Sequence, residues 1–500
     1  MSFEGLLPDS VHDQALRKLV APSDWVNPKP QDKYDLVVLG GGPAGLVAAA
    51  GAAGLGARVA LIERGLLGGD CLNAGCVPSK ALLAVASRIR SFRSGVSMGI
   101  QGESTVDFPR LMERMREKRA SLAHHDSAAR FRDLGVDVFL GSGSFHGSDS
   151  IQVGEDVLRF RKALIATGAR AFVPPIPGIR DVGFHTNETI FSLTELPRRL
   201  LVIGGGPIGC ELAQAFRQFG SEVSIVDMGV LAPRDEPAAR EALYEAFGHD
   251  GINLHEKTRI LGVSRTQGDV VLSIEDQKGA SELRGDVLLV AAGRALNLEG
   301  LKLEAAGVAI EGKRLKVEAS LRTTNPRVYV AGDVAGGPQF THTADAQARL
   351  FLRNAFFFGR GKSTDLVVPW CTYTHPELAQ VGLTEAMAQE QGLETESLKV
   401  LFSDLDRGVL EEEAGFVQAR VKKGTDEVVG MTVVGPHAGD LLGEAALLLA
   451  TTKRLSTLSA VIHPYPTLGE AFKRLGDQAM KQRLTPRVQA FFRLWFKLWR

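Results

Sequence analysis

Residues 34–64 read "YDLVVLGGGPAGLVAAAGAAGLGARVALIER". The run Leu36–Leu39 is short, apolar and bounded by glycines, which predicts a buried strand. The segment from Pro43 to Gly56 is alanine-rich and helix-like, and Ala57–Glu63 is a second strand. The stretch is a strand–turn–helix–strand unit. Its turn carries Gly40, Gly42 and Gly45, and each glycine has a physical purpose. Gly40 permits the tight turn, Gly42 lets a pyrophosphate approach the backbone, and Gly45 lets helix and strand pack closely. The helix N-terminus favours the phosphate charge. Glu63 ends the second strand, 23 residues after Gly40. A carboxylate there is placed to accept hydrogen bonds from an adenosine ribose.

The pattern returns in "RRLLVIGGGPIGCELAQAFRQFGSEVSIVD", residues 198–227. Gly204, Gly206 and Gly209 follow a strand, and Asp227 lies 23 residues after Gly204. The chain therefore contains a large internal repeat with two dinucleotide sites, which suggests a flavin and a nicotinamide exchanging a hydride. Three further apolar strands end in Thr167–Gly168, Ala292–Gly293 and Gly332–Asp333. An acid beside glycine at a strand end, such as Asp333, suits a ribitol hydroxyl.

Composition sets outer bounds. Five hundred residues exceed one core, so several domains are expected. The formal net charge is zero, which argues against a nucleic-acid partner. Four cysteines are too few for a secreted disulfide scaffold. No apolar run reaches the ~20 residues of a membrane span, and the N-terminus "MSFEGLLPDSVHDQALRKLV" lacks the pattern of a signal peptide. A cytoplasmic, reducing setting is expected. One short helix, Val11–Val20, precedes a proline-rich linker, "NPKPQDK".

Two of the four cysteines stand in "GGDCLNAGCVPSK", residues 68–80. Cys71 and Cys76 follow the first glycine unit, and a helix begins behind them. A thiol near a helix N-terminus has a lowered pKa and favours thiolate chemistry. A tetrahedral zinc site would want two more ligands at similar local spacing, so no metal site is expected. Cys210 and Cys371 are read as buried core residues.

At this point the sequence resembles the FAD-dependent pyridine nucleotide–disulfide oxidoreductases, the family of lipoamide dehydrogenase, glutathione reductase and mercuric reductase. The resemblance runs over residues ~34–480 and rests on the cysteine motif and both glycine fingerprints. It implies an α/β fold with two Rossmann-like dinucleotide-binding domains, for FAD and NAD(P), and an α+β C-terminal dimerisation domain. The expected divisions are an N-terminal extension over 1–33, an FAD domain over 34–170 and 295–362, and an NAD(P) domain over 171–294. A dimerisation domain over 363–480 and a basic amphipathic helix over 481–500 complete the chain. It also implies roles. Cys76 is the thiol nearer the flavin and Cys71 the interchange thiol that meets substrate. Lys80 sits by the flavin and pairs with Glu211, because a cation there stabilises negative charge on a reduced flavin. Asp333, Glu63, Gly143, Thr167 and Gly168 complete the FAD contacts, and Gly69, Gly293 and Thr341 are further cofactor-binding residues. Asp227 favours NADH through a free 2′-hydroxyl, while Arg234 is a candidate ligand for the 2′-phosphate of NADPH.

The family places a His-Pro-Thr, with Glu five residues after the His, in the partner subunit's contribution to a shared active site. Here the sequence is "VIHPYPTLGEAF", so Tyr465 aligns with that His and Glu470 with the Glu. His463 lies two residues too early. A tyrosine resembles mercuric reductase, but the C-terminal cysteine pair of that enzyme is missing. The chain ends in "TPRVQAFFRLWFKLWR", where Arg493, Lys497 and Arg500 form a basic stripe on an otherwise apolar helix, a pattern suited to a membrane interface. The expected activity is electron transfer from NAD(P)H through FAD to a redox-active Cys71–Cys76 disulfide in a homodimer. From there electrons pass to a small disulfide, a soft metal ion or another small oxidant. Two alternatives are a quinone-type diaphorase at a membrane and a non-catalytic redox-sensing or docking flavoprotein.

Overall fold

The structure is a computed structural model and describes residues 6–499. The chain forms two compact units, Met1–Val230 with Ile252–Leu366, and Leu231–Gly251 with Val367–Arg500.

The quoted stretch forms the centre of the first unit. Tyr34–Leu39 pairs in parallel with Val59–Glu63 on one side and with Asp156–Ile165 on the other, with Leu36 opposite both Val59 and Lys162. Val136–Leu140 extends the sheet beyond Val59–Glu63, and Val328–Val330 joins Asp156–Ile165 in parallel. Leu36–Leu39, Val59–Ile62 and Val328–Val330 are buried throughout, which is why they read as unbroken apolar runs. Gly143–Gly147 and Ser150–Val153 close the far side as a hairpin. The repeat builds a second parallel sheet in the order Asn253–His255, Glu222–Val226, Arg199–Ile203, Val287–Val290.

Five helices position the site. They are α1 (Val11–Val20), α2 (Pro43–Gly54), α3 (Gly69–Asn73), α4 (Cys76–Gly95) and α5 (Phe108–Leu122). The Val11–Val20 helix matches its sequence expectation to the residue. The proline-rich segment behind it is not a free linker. Trp25 Nε1 donates to the Val138 carbonyl at 3.0 Å, and Asn27 exchanges two hydrogen bonds with the Leu140 backbone. The segment thus lies along the edge of the sheet, where side-chain amides satisfy strand groups that proline cannot.

The second unit holds a five-stranded antiparallel sheet in the order Pro369–Thr372, Glu377–Gly382, Val428–Gly435, Phe416–Lys422, Thr395–Leu401. Helices Ala438–Ala450 and Glu470–Gln482 bury their apolar faces in its core. The last helix, Pro486–Leu498, is capped by Thr485 and buries no residue. Arg500, expected in its basic stripe, lies outside the described residues.

Candidate active site

The two fingerprint turns are built alike. A Cβ on Gly45 would lie 1.9 Å from the Gly40 carbonyl oxygen, and one on Gly209 would lie 2.0 Å from that of Gly204. Gly40 and Gly204 adopt φ of +108° and +110°, which only glycine takes readily. Each strand-end acid holds its own turn. Glu63 accepts from the N–H of Gly41 at 2.6 Å and of Gly65 at 2.7 Å. Asp227 accepts from Gly205 at 2.7 Å and from Gly229 at 2.6 Å.

These turns fit dinucleotides by a direct test. α2 and Pro207–Phe219 start at Gly42 and Gly206 with no side-chain cap, so their first N–H groups remain for a phosphate. A Cβ on Gly206 would meet nothing within 4 Å, and one on Gly42 would meet only the Gly69 Cα at 3.8 Å. Gly69 is itself pressed against Gly42, where a Cβ would approach to 2.7 Å. Gly143 packs on Leu39 and Ile62, behind the first turn.

Cys71 ends no element of its own. It lies within α3, and Cys76 opens α4 with no capping side chain ahead of it. Cys71 is partly buried and Cys76 exposed. Hydrogen bonding with Cys71 holds the Cys76 thiol down to about 6. Thr341 Oγ1, 3.4 Å from Cys76 Sγ, and the charge of Lys80 act in the same direction. Cys71 is pushed up, first by the same bond and then by burial. The two thiols are thus pushed apart in acidity, and Cys76 is the one that favours the thiolate.

α4 runs beside Pro207–Phe219. Lys80 Nζ lies 2.7 Å from the buried Glu211 Oε2, and Arg93 donates to the Gln218 side chain and carbonyl further along. Asp333 is half-buried and its carboxyl is pushed up by desolvation, partly offset by Arg294, whose Nε lies 3.4 Å away. Arg294 Nη1 also reaches Asp70 Oδ2 at 3.0 Å, and Asn187 donates to Asp70 Oδ1 at 3.0 Å. Sequence reading missed Asp70, Asn187 and Arg294. The residue directly before Cys71 was the only local signal. Thr167 and Asn297 exchange bonds at 2.8 and 2.9 Å beside Gly168 and Gly293, both at positive φ.

In the second unit Tyr465 is 70% exposed and donates its O–H to Asp406. That bond pushes the phenol pKa further up. Glu470 accepts instead from the Thr467 N–H at 3.4 Å. His463 Nε2 faces Glu444 at 3.0 Å, and its Nδ1 lies 3.2 Å from the Val461 carbonyl oxygen. Neither Asp406 nor Glu444 was evident in the sequence. Cys210 is buried as expected, but Cys371 is only partly buried, on a short outer strand. No helix among the described residues is long and apolar enough to cross a membrane.

Comparison with known proteins agrees with this arrangement. Residues 34–348 match the pyridine nucleotide-disulphide oxidoreductase family, and residues 368–475 match the dimerisation domain of that family. A mercuric reductase of Acidithiobacillus ferrooxidans is 36% identical over 453 residues, covering 88% of this chain and 81% of the relative. A dihydrolipoyl dehydrogenase of Thermus scotoductus is 33% identical over 463 residues, covering 90% and 98%. Among solved structures, the HOCl-induced flavoprotein disulfide reductase RclA from Escherichia coli superposes with a TM-score of 0.80 at 28% identity, covering 89% and 99%. With its cysteine pair at a helix start between two glycine-rich turns, the chain belongs to the pyridine nucleotide-disulphide oxidoreductase family and is an NAD(P)H-dependent flavin disulfide oxidoreductase.

Proposed function

We propose that this enzyme takes electrons from NADH in preference to NADPH and delivers them through Cys71 to a small disulfide or a soft metal ion. The observation that carries the reading is the Cys71–Cys76 pair at the start of α4, with Thr341 Oγ1 3.4 Å from Cys76 Sγ. FAD, when bound, relays two electrons from the nicotinamide to the disulfide. Gly40, Gly42, Gly45 and Glu63 would hold its adenosine diphosphate half, with Gly143 behind the adenine. Asp333, Thr341, Thr167 and Gly168 would hold the rest, and Lys80, paired with Glu211, would face the ring. The divisions follow: FAD over 34–170 and 295–362, NAD(P) over 171–294, dimerisation over 363–480.

The exchange chemistry balances within the pair. The proton of Cys71 passes along the hydrogen bond to Cys76, and the Cys71 thiolate attacks one sulfur of a substrate disulfide. A Cys71 mixed disulfide forms and one thiolate leaves. Cys76 then attacks the Cys71 sulfur, its proton goes to the second leaving thiol, and the Cys71–Cys76 disulfide is restored for the next two electrons. Tyr465 is the residue offered at the surface, so we assign it, from the partner subunit of a homodimer, as a donor of a hydrogen bond to departing sulfur once its O–H turns from Asp406. With its phenol pKa raised it is a donor and not a base. His463, held by Glu444 and Val461, is assigned to keep that segment in place, with Glu470 ordering the Thr467 turn.

Anaerobic titration with NADH and with NADPH tests the reading. Two-electron reduction of the wild type should produce a long-wavelength absorbance; Cys76→Ser should lack it, and Cys71→Ser should show it before any reduction. Its absence from the wild type refutes the assignment.

A second reading, a quinone-type reductase at a membrane surface, is favoured by one observation. Phe491, Leu494, Phe496, Leu498 and Trp499 are all exposed on the last helix, beside Arg493 and Lys497. Co-sedimentation with anionic vesicles at low salt, lost at high salt, tests it.

A further inference from the structure

The family match begins at residue 34, yet the chain ahead of it is tied into the redox loop. Asp13 is fully buried in α1. Its Oδ2 closes the capping box with the Ser10 N–H at 3.0 Å, and its Oδ1 lies 2.6 Å from Arg119 Nη2. Arg119, fully buried in α5, uses Nη1 to donate to the Asn73 carbonyl at 2.8 Å. Asn73 is the last residue of α3, midway between the two cysteines, and its side-chain amide donates back to the carbonyls of Leu67 and Gly69. The end of α1 makes a second tie, where the Val20 carbonyl accepts from the Leu67 N–H at 3.1 Å. Arg116 flanks the same carboxylate at 3.7 Å and spends its own donors on the Leu193 and Phe191 carbonyls.

A guanidinium is a rigid fork, so a carboxylate that fixes one prong fixes the other. We propose that α1 is a positioning element for the redox pair, in which Asp13 acts through Arg119 on the Asn73 carbonyl to set the turn that brings Cys71 against Cys76. The inference rests on the redox-pair reading above. Its consequence is thermodynamic. The reduced pair is stabilised by the Cys71–Cys76 hydrogen bond, which needs the two sulfurs held close. Loosening the turn weakens the dithiol relative to the disulfide.

The test uses full-length enzyme with its flavin, equilibrated in a dithiothreitol redox buffer, and reads the disulfide–dithiol ratio together with the pH midpoint of the long-wavelength band. Asp13→Asn, and the double variant Asp13→Asn/Arg119→Met that carries neither charge of the ion pair, should shift the equilibrium three- to tenfold toward the disulfide, roughly 15–30 mV for a two-electron couple. The pH midpoint should move up with it. Arg119→Lys keeps the charge and the fold but cannot span both partners, and should shift the ratio in the same direction by less. Leu16→Ala, which loosens the buried face of α1 without touching the relay, should lower the melting temperature and leave the ratio unchanged. Wild-type ratios in both the double variant and Arg119→Lys overturn the proposal, as does an equal shift in Leu16→Ala. A wild-type enzyme whose cysteines exchange with no disulfide refutes the redox-pair reading itself, and this proposal with it.

Discussion

Removing the Cys71 sulfur isolates the largest influence on the thiolate. In Cys71→Ala, Cys76 keeps Thr341 Oγ1 at 3.4 Å and the Lys80 charge, but loses its hydrogen bonding with Cys71. A hydrogen bond to a charged acceptor contributes about 1.5–3 kcal/mol, and one pKa unit corresponds to about 1.4 kcal/mol. The Cys76 thiol, held at about 6 in the intact pair, should therefore rise by roughly one to two units. Burial, which pushes this thiol up, is then opposed only by Thr341 and Lys80. The sign follows from which form absorbs. The band belongs to the thiolate, so it is present above the midpoint and lost as pH falls through it. Spectrophotometric titration from pH 5 to 9 of reduced wild type and of Cys71→Ala, in which Cys76 has no partner to oxidise with, gives both midpoints. At pH 7 the wild type should be mostly thiolate and the variant substantially thiol. A variant midpoint at or below that of the wild type would show that the Cys71 bond does not set the thiolate, and the proton assignment within the pair would fall.

Asp227→Ala removes the two backbone bonds that hold the second turn and should lower kcat/KM for NADH by about 1–2 kcal/mol, near tenfold, and for NADPH by less, because a repelling charge also goes. An unchanged NADH/NADPH ratio in steady-state kinetics contradicts it. Gly45→Ala places a Cβ where the Gly40 carbonyl oxygen stands, a clash costing about 3 kcal/mol at the upper end for overpacking, and the protein should purify with little flavin, read by absorbance at 450 nm. Flavin at full occupancy would show that the turn has room the structure denies it. Truncation after Thr485 should leave flavin content and the homodimer intact by size-exclusion chromatography while abolishing vesicle binding. Monomers or lost flavin would make the last helix a structural part of the enzyme.

What the sequence made legible is whatever folds within about thirty residues. The two glycine turns, their strand-end acids and the helix behind Cys76 are local units, and each glycine leaves a signature because no other residue fits its place. The same holds for α1, whose capping box is written in four residues, Ser10 to Asp13. The linker reading failed because proline content reports only on backbone donors, and it says nothing of a side-chain amide such as Asn27 that can pair with a strand 113 residues away.

The unseen part of the site is held by charges from distant parts of the chain. Asp70 meets Arg294 across 224 residues, Asp13 meets Arg119 across 106, and Tyr465 meets Asp406 across 59. Each looks like an ordinary surface charge or phenol until the fold brings its partner, since periodicity and spacing carry no information on pairs so far apart. Yet these contacts decide what the legible residues can do. The cysteine motif supplies two sulfurs, and α4 supplies a helix start. Which sulfur keeps the proton depends on how closely the loop holds them. Asp70, clamped by Arg294 and Asn187, fixes the loop ahead of Cys71, and Asn73, clamped by Arg119, fixes the turn after it. The reactive pair is thus braced from both sides by buried or half-buried ion pairs. Such pairs add little net stability, because desolvation offsets attraction, but they are costly to break singly. That asymmetry suits a site whose purpose is to hold two sulfurs at one separation through repeated opening and closing of the bond between them.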